Sequence, residues 1–307
     1  MNLHDFPLIG RYPPPVLLLN TDKTLELLHS LDHRGVRHAI IVDATRRLDG
    51  MVDIKRLVDF LGGGKFWDNI VCSRYACRLI DALNNVRVDE IAYKNIPCLK
   101  LGEYSLEDIV ELIGVQGYSA VPIVLSDMSV VGIVSDRQFI DLLSASHNFY
   151  VSLSEIMSSP LIAAKPSTRL VDAMKMLSSN NIRHLPILDE EKRPIGMLSA
   201  RDIVRHFARE DTLDIIAKEG VSAIHSMPIA AIASKQVITL PYTADASKAI
   251  RTMRKYGISS VVITDESGKA IGIVTDRDMI SKLPKKLGVD MFFDMLRGLI
   301  VMARVSA

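Results

Sequence analysis

Short apolar runs alternate along this chain with stretches whose apolar residues recur at helical spacing, and the whole alternation repeats. The run VITL, residues 237–240, predicts a strand. Ala246, Ala249, Ile250 and Met253 then fall on one face of a helix, as Leu170, Ala173, Met174 and Leu177 do earlier. Asn181 and Gly257 follow where a left-handed C-cap residue is wanted. The runs HLPIL with IGML, and SVVIT with IGIV, predict paired strands across turns rich in Asp, Glu, Lys and Gly. A last amphipathic stretch, IVRHFA or MISKL, opens just after a Ser or Thr. Each unit reads β-α-β-β-α.

Four such units follow one another. They close on Gly50-Met-Val-Asp53-Ile-Lys-Arg56, Gly132-Ile-Val-Ser135-Asp-Arg-Gln138, Gly196-Met-Leu-Ser199-Ala-Arg-Asp202 and Gly272-Ile-Val-Thr275-Asp-Arg-Asp278. Arg37-His38 and Arg183-His184 occupy equivalent places in units 1 and 3, where units 2 and 4 carry Ser119-Ala120 and Ser259-Ser260. Gly50 and Gly196 lie 146 positions apart, and Gly132 and Gly272 lie 140 apart, so the larger period is a pair of units. The expected division is repeat 1 at 11–61, an insertion or linker at 62–88, repeat 2 at 89–146, repeat 3 at 152–209, repeat 4 at 221–284 and a tail at 285–307.

Composition narrows the function. A net charge of +1 from 37 basic and 36 acidic residues gives no support to nucleic-acid binding. Hydrophobic residues make up 48% and mean hydropathy is +0.20, which suits strands buried on both faces. The start of the chain lacks a signal-peptide pattern, and no run approaches the roughly 20 apolar residues of a membrane span. A soluble, cytoplasmic protein is expected. Cys72, Cys77 and Cys98 are too few for a disulfide framework or a zinc site, and Cys72 and Cys77 read as ordinary core residues in a reducing compartment.

The strand, the amphipathic helix, the hLPIhD run and the Gly-h-h-Ser/Thr-x-x-Asp close resemble the cystathionine-β-synthase (CBS) domain. Two such domains resemble a Bateman module. Four resemble the archaeal stand-alone CBS proteins and the γ subunit of AMP-activated protein kinase. The resemblance implies an α/β fold of four CBS repeats paired into two Bateman modules, in a flat, disc-like, pseudo-symmetric arrangement. It also implies a regulatory protein that senses AMP, ADP or ATP in the crevice between paired repeats, and no enzyme. A scaffold with vestigial sites, or a sensor of another adenosyl ligand such as S-adenosylmethionine, is the alternative. The protein partner is left unnamed, and the pattern leaves room for a homodimer.

The chemistry of the closing motif fits that reading. A hydroxyl at a helix N-cap sits among free N–H groups at the positive end of the dipole, which suits phosphate. An acid one turn later can accept from two ribose hydroxyls. The resemblance assigns phosphate to Thr275, ribose to Asp278, a place near the base to Thr239, and the adenine slot to Ile238 and Ile258. Repeat 3 keeps Ser199 and Asp202 but has Ala163 in place of Thr239. Arg183 and His184 are expected to project into the crevice of repeats 3 and 4, with Arg201 and Arg277 as further phosphate contacts. The C-terminal pair is therefore expected to hold the better site. In repeat 1, Asp53 and Arg56 replace the hydroxyl and the ribose acid, and in repeat 2 Ser135 stands with Gln138. Ser135, Arg137, Arg37 and His38 are the weaker candidates.

Each of these residues also has a plainer reading. Ser199 with Asp202, and Thr275 with Asp278, have the form of capping boxes, which can coexist with binding. Arg183-His184 could be a solvated pair. Gly62-Gly63-Gly64-Lys65 fails as a phosphate loop, since Asp59 and Phe66 stand where Gly and Ser/Thr are required, and reads as a flexible linker. His29 and His33 are spaced for zinc, with no third ligand suggested. The apolar tail MFFDMLRGLIVMA reads as core or as a self-association face rather than a membrane contact. No metal or catalytic constellation is indicated.

Overall fold

The structure, a computed structural model, describes residues 9–146 and 148–305, with side chains up to residue 301. The start of the chain, read as lacking a signal-peptide pattern, and the end of the tail lie outside the described residues. Repeat 1 contains β1 (Leu17–Leu19), β2 (His38–Val42) and β3 (Leu48–Asp53); repeat 2 contains β4 (Leu99–Lys100), β5 (Ala120–Val124) and β6 (Val130–Ser135). Repeat 3 contains β7 (His184–Leu188) and β8 (Pro194–Ser199); repeat 4 contains β9 (Thr239–Pro241), β10 (Ser260–Thr264) and β11 (Ala270–Thr275). In repeats 1, 2 and 4 the first strand runs parallel to the second, and the third is antiparallel to it. A helix crosses from the first strand to the second, as a parallel connection requires. The four antiparallel pairs also share a register shift at the same place, after Ile41, Ile123, Ile187 and Ile263.

Repeat 3 departs from the expected pattern. Its run LIAAKP forms no assigned strand, only a parallel bridge from Ala164 to Ile187. Two alanines offer little cross-strand packing, and Pro166 has no N–H to give a ladder.

Contacts gather the chain into two compact units that do not follow chain order. One contains Pro14–Ile96 and Ile162–Gln236, hence repeats 1 and 3. The other contains Met1–Pro13, Pro97–Leu161 and Val237–Ala307, hence repeats 2 and 4. The kinship of Arg37-His38 with Arg183-His184 thus falls within one unit. Each unit has its own apolar core. In the first, Leu27, Leu57, Leu177 and Phe207 pack together, and in the second Phe139, Met253, Met279 and Phe292 do. Reciprocal contacts join the partners: Lys55 Nζ donates to Asn181 Oδ1 at 2.6 Å in one unit, and Arg137 reaches the Ile258 carbonyl at 3.4 Å in the other.

Three segments differ from expectation. Residues 62–64 are no flexible linker: Gly62 and Gly63 are buried, and Gly62 has a φ of 144°. A Cβ on Gly62 would meet the His225 ring at 2.5 Å, so glycine is required by close approach and by backbone conformation together. Cys72 and Cys77 are not separate core residues but form a disulfide, with Cα atoms 3.9 Å apart. Their spacing of five becomes short enough because Ala76 and Cys77 adopt left-handed conformations, φ 51° and 59°, that fold the chain back. The insertion itself carries helices Trp67–Cys72 and Leu79–Asn85.

The tail forms helix Val289–Val305, whose Phe292, Leu296, Leu299 and Ile300 join the core of repeats 2 and 4. Among the described residues no helix is long and apolar enough to cross a membrane. His29 and His33 are both exposed on helix Thr24–Arg34.

Candidate functional site

The same local construction recurs at one end of all four repeats. The first residue of the second strand faces the helix-capping residue: His38 with Asp53, Ala120 with Ser135, His184 with Ser199, Ser260 with Thr275. The residue just before that strand, Arg37, Ser119, Arg183 or Ser259, offers its carbonyl to the first N–H of the following helix. The motif and the Arg-His or Ser-rich pair therefore meet at one helix mouth, although they are distant in sequence. What the mouth can bind depends on how far its polar atoms are already used.

In repeat 3 the capping box draws on one oxygen of its acid. Ser199 Oγ donates to Asp202 Oδ2 at 2.7 Å, the Ser199 N–H donates to the same oxygen at 2.9 Å, and Ser199 Oγ accepts from the Asp202 N–H at 3.3 Å. This capping box uses Oδ2 of a half-buried carboxylate, and among the described residues Oδ1 accepts no hydrogen bond. Arg183 and His184, both half-buried, adjoin this helix start, and half-buried Arg201 lies in its first turn. Helix Ala200–Phe207 completes two turns, enough to present a dipole at its start. Ile162 and Ile182, both half-buried, supply the apolar surface that Ile238 and Ile258 supply in repeat 4.

In repeat 4 the same box is closed. Thr275 Oγ1 and N–H donate to Asp278 Oδ2 at 2.7 and 2.8 Å. Asp278 Oδ1 accepts from Ser158 Oγ at 3.0 Å and pairs with Lys282 Nζ at 2.7 Å, leaving Asp278 only 5% exposed. Lys282 also donates to the carbonyls of Ile156 and Met157. Ile238 and Ile258 are half-buried beside the mouth, and Thr239 is exposed on the edge strand, with the Ile238 carbonyl accepting from Val262. Arg277 is turned elsewhere: its guanidinium lies over Gly117, where a Cβ would come within 2.2 Å of it. Its guanidinium thus packs onto repeat 2.

The first two mouths depart from the pairing of a hydroxyl with an acid. In repeat 1 the Asp53 carboxylate caps the helix through the Arg56 N–H at 3.0 Å, and His38 and Asp53 are buried. Arg56 lies 3.5 Å over the Tyr93 ring and donates to the Ile91 carbonyl at 2.8 Å. In repeat 2 Gln138 stands in for the acid, its Oε1 accepting from Ser135 N–H and Oγ at 2.7 and 2.8 Å. Arg137 is held by the Ile258 carbonyl and by Asp141. Arg37 is half-buried.

Ser158, Lys282 and Tyr93 had no signal in the sequence. Lys282 lies one turn after Asp278, at the end of the same helix, whereas Ser158 and Tyr93 arrive on lead-in segments that bridge the third strand of another repeat: Tyr93 to Met51, Ser158 to Ile273, and likewise Ser234 to Met197 and Arg11 to Ile133. Those pairings are long-range, and no motif announces them.

Comparison with known proteins fits this construction. The model of the CBS domain matches residues 88–145, 153–209 and 229–285, more than half of the chain. An uncharacterized 33.4 kDa protein in the ribosomal RNA operon of Thermofilum pendens is 34% identical over the full length of both chains. The crystal structure of protein MJ1225 from Methanocaldococcus jannaschii, proposed as an archaeal homolog of g-AMPK, superposes with a TM-score of 0.82 at 22% identity, covering 89% of this chain and 97% of that one. The CBS domain protein PAE2072 from Pyrobaculum aerophilum, solved complexed with AMP, aligns with 47% of this chain and 99% of its own at 21% identity, with a TM-score of 0.37. This chain belongs to the CBS domain family.

Proposed function

We propose that this chain is a regulatory protein that binds an adenine nucleotide and acts by binding alone. The observation that carries the reading is the mouth of repeat 3. A half-buried carboxylate there has an oxygen to spare, in company with a hydroxyl cap, Arg183, His184 and Arg201. Asp202 Oδ1 takes the ribose hydroxyls, the helix start and the cations take phosphate, and Ile162 and Ile182 flank the base. AMP, ADP and ATP share these contacts, and so does the adenosyl part of S-adenosylmethionine. Repeat 4 contributes Thr239, Thr275, Ile238 and Ile258 to a second site that opens when Ser158 and Lys282 yield Asp278. Repeats 1 and 2 do not take nucleotide.

A nucleotide that prefers one arrangement of the fold shifts the population toward it, and a bound protein partner reads the shift. Native mass spectrometry of the freshly purified protein tests the reading. It predicts copurified or readily loaded adenine nucleotide, with added ATP recovered intact. Hydrolysis of ATP would argue for an enzyme instead. A protein that never loads any adenosyl ligand would favour a scaffold, the second reading, which has its support in the departures from the motif in repeats 1 and 2.

A further inference from the structure

Two short segments outside the stretches matched by the CBS model meet in the unit of repeats 1 and 3. Between residues 76–81 and residues 216–222 they enclose an open cavity of about 560 Å³, lined by Cys77, Arg78, Ile80, Ile216, Ala217 and Ser222 among others. That volume suits a small organic ligand. None of the capping residues of the four helix mouths, nor their neighbours, lines this cavity, so it is independent of the mouths. Cys77 is both exposed and part of the lining, whereas its disulfide partner Cys72 is half-buried at the end of helix Trp67–Cys72.

The disulfide is not needed to close its turn. The Cys77 N–H already donates to the Val71 carbonyl at 3.2 Å, and Arg78 N–H to the Tyr75 carbonyl at 2.9 Å. A cross-link spanning so few residues also restricts the unfolded chain least. An exposed, structurally redundant disulfide at the rim of a cavity is placed for exchange.

We propose that Cys72–Cys77 is a thiol-exchange centre, and that the adjoining cavity seats a low-molecular-weight thiol which attacks Cys77. The thiolate forms a sulfur–sulfur bond to Cys77 Sγ, the Cys77–Cys72 bond breaks, and Cys72 Sγ leaves with the electron pair as a thiolate. A second equivalent of the same thiol regenerates free Cys77 and carries away the external disulfide. The loop released leads into helix Leu79–Asn85, which receives the Thr24 hydroxyl at the Leu83 carbonyl, 3.2 Å, so the redox state is registered beside the first helix of repeat 1. This inference does not depend on the nucleotide reading.

The test treats the native full-length protein with glutathione, quenches in acid and maps the adducts by mass. The expected result is glutathione on Cys77 with Cys72 free, accompanied by a shift in the fluorescence of Trp67, the only tryptophan. In Cys72→Ser, Cys77 should react with oxidised glutathione at least about tenfold faster than Cys98, whose half-buried thiol is pushed up by burial. Filling the cavity with Ala217→Trp, at an exposed position, should slow glutathione severalfold and leave 2-mercaptoethanol unchanged. A bond that resists glutathione until the protein unfolds, or an adduct confined to Cys72, would overturn the exchange centre. Equal rates for both thiols in Ala217→Trp would overturn the seat.

Discussion

The helix mouths of repeats 3 and 4 share a hydroxyl cap, an acid three residues on and the same hydrogen-bonded box, yet they differ in what remains to bind with. Asp202 uses one oxygen and stays half-buried, while Asp278 spends both, one on Thr275 and one on Ser158 and Lys282. The lesson is that a motif fixes the local geometry of a site but not its vacancy. Vacancy is decided by lead-in segments arriving from elsewhere in the chain, and repeat 1 carries the same effect further with Arg56 stacked on Tyr93.

Stability should separate the two mouths most strongly. Removing one partner of a buried ion pair costs several kcal/mol; Lys282 keeps 37% of its side chain in solvent, so Asp278→Ala should cost about 2 kcal/mol. Asp202→Ala removes only a cap and should cost about 1 kcal/mol. Urea denaturation measures both, and equal losses would erase the distinction. In repeat 1, Arg56→Ala gives up the ring stack and the Ile91 bond and should cost about 1 kcal/mol, without creating a nucleotide site, because Asp53 still repels phosphate.

The comparison can be sharpened by opening the closed mouth. Lys282→Met removes one of the two groups held on Asp278 Oδ1 and leaves Ser158, so in an Asp202→Ala background the remaining affinity for AMP, read by calorimetry, should rise about threefold, or ~0.6 kcal/mol. Unchanged affinity would mean that Lys282 is not what closes repeat 4.

The smallest effect concerns the two units. Every histidine among the described residues lies in the unit of repeats 1 and 3. Burial lowers the pKa of His225, whose Nε2–H donates to the Leu61 carbonyl at 2.8 Å, and burial lowers that of His206 as well. A histidine depressed in the folded state contributes stability above the unfolded value, 6.5, which is lost as pH falls from there through the folded pKa. The melting temperature should decline below pH 6.5, and His225→Gln should flatten the decline. A pH-independent melting temperature would contradict this.

Much of this was legible in the sequence. The four repeats, the crossover helices and the caps at Ser135, Ser199 and Thr275 depend on neighbouring residues, so apolar period and motif reveal them. The shared Arg-His pair, read as the sign of a two-repeat period, marks the two repeats that contacts gather into one unit. What stayed hidden depends on distant partners. Ser158 reaches Asp278 across 120 positions, and Arg277 packs on Gly117. The disulfide was hidden for another reason: spacing alone does not disclose two consecutive left-handed residues.

The most direct test titrates AMP by calorimetry into wild type, Asp202→Ala and Asp278→Ala. The account predicts that Asp202→Ala weakens the main binding event at least about tenfold, the loss of a charge-assisted hydrogen bond or more, while Asp278→Ala affects it far less. Binding that is unchanged in Asp202→Ala would contradict the account.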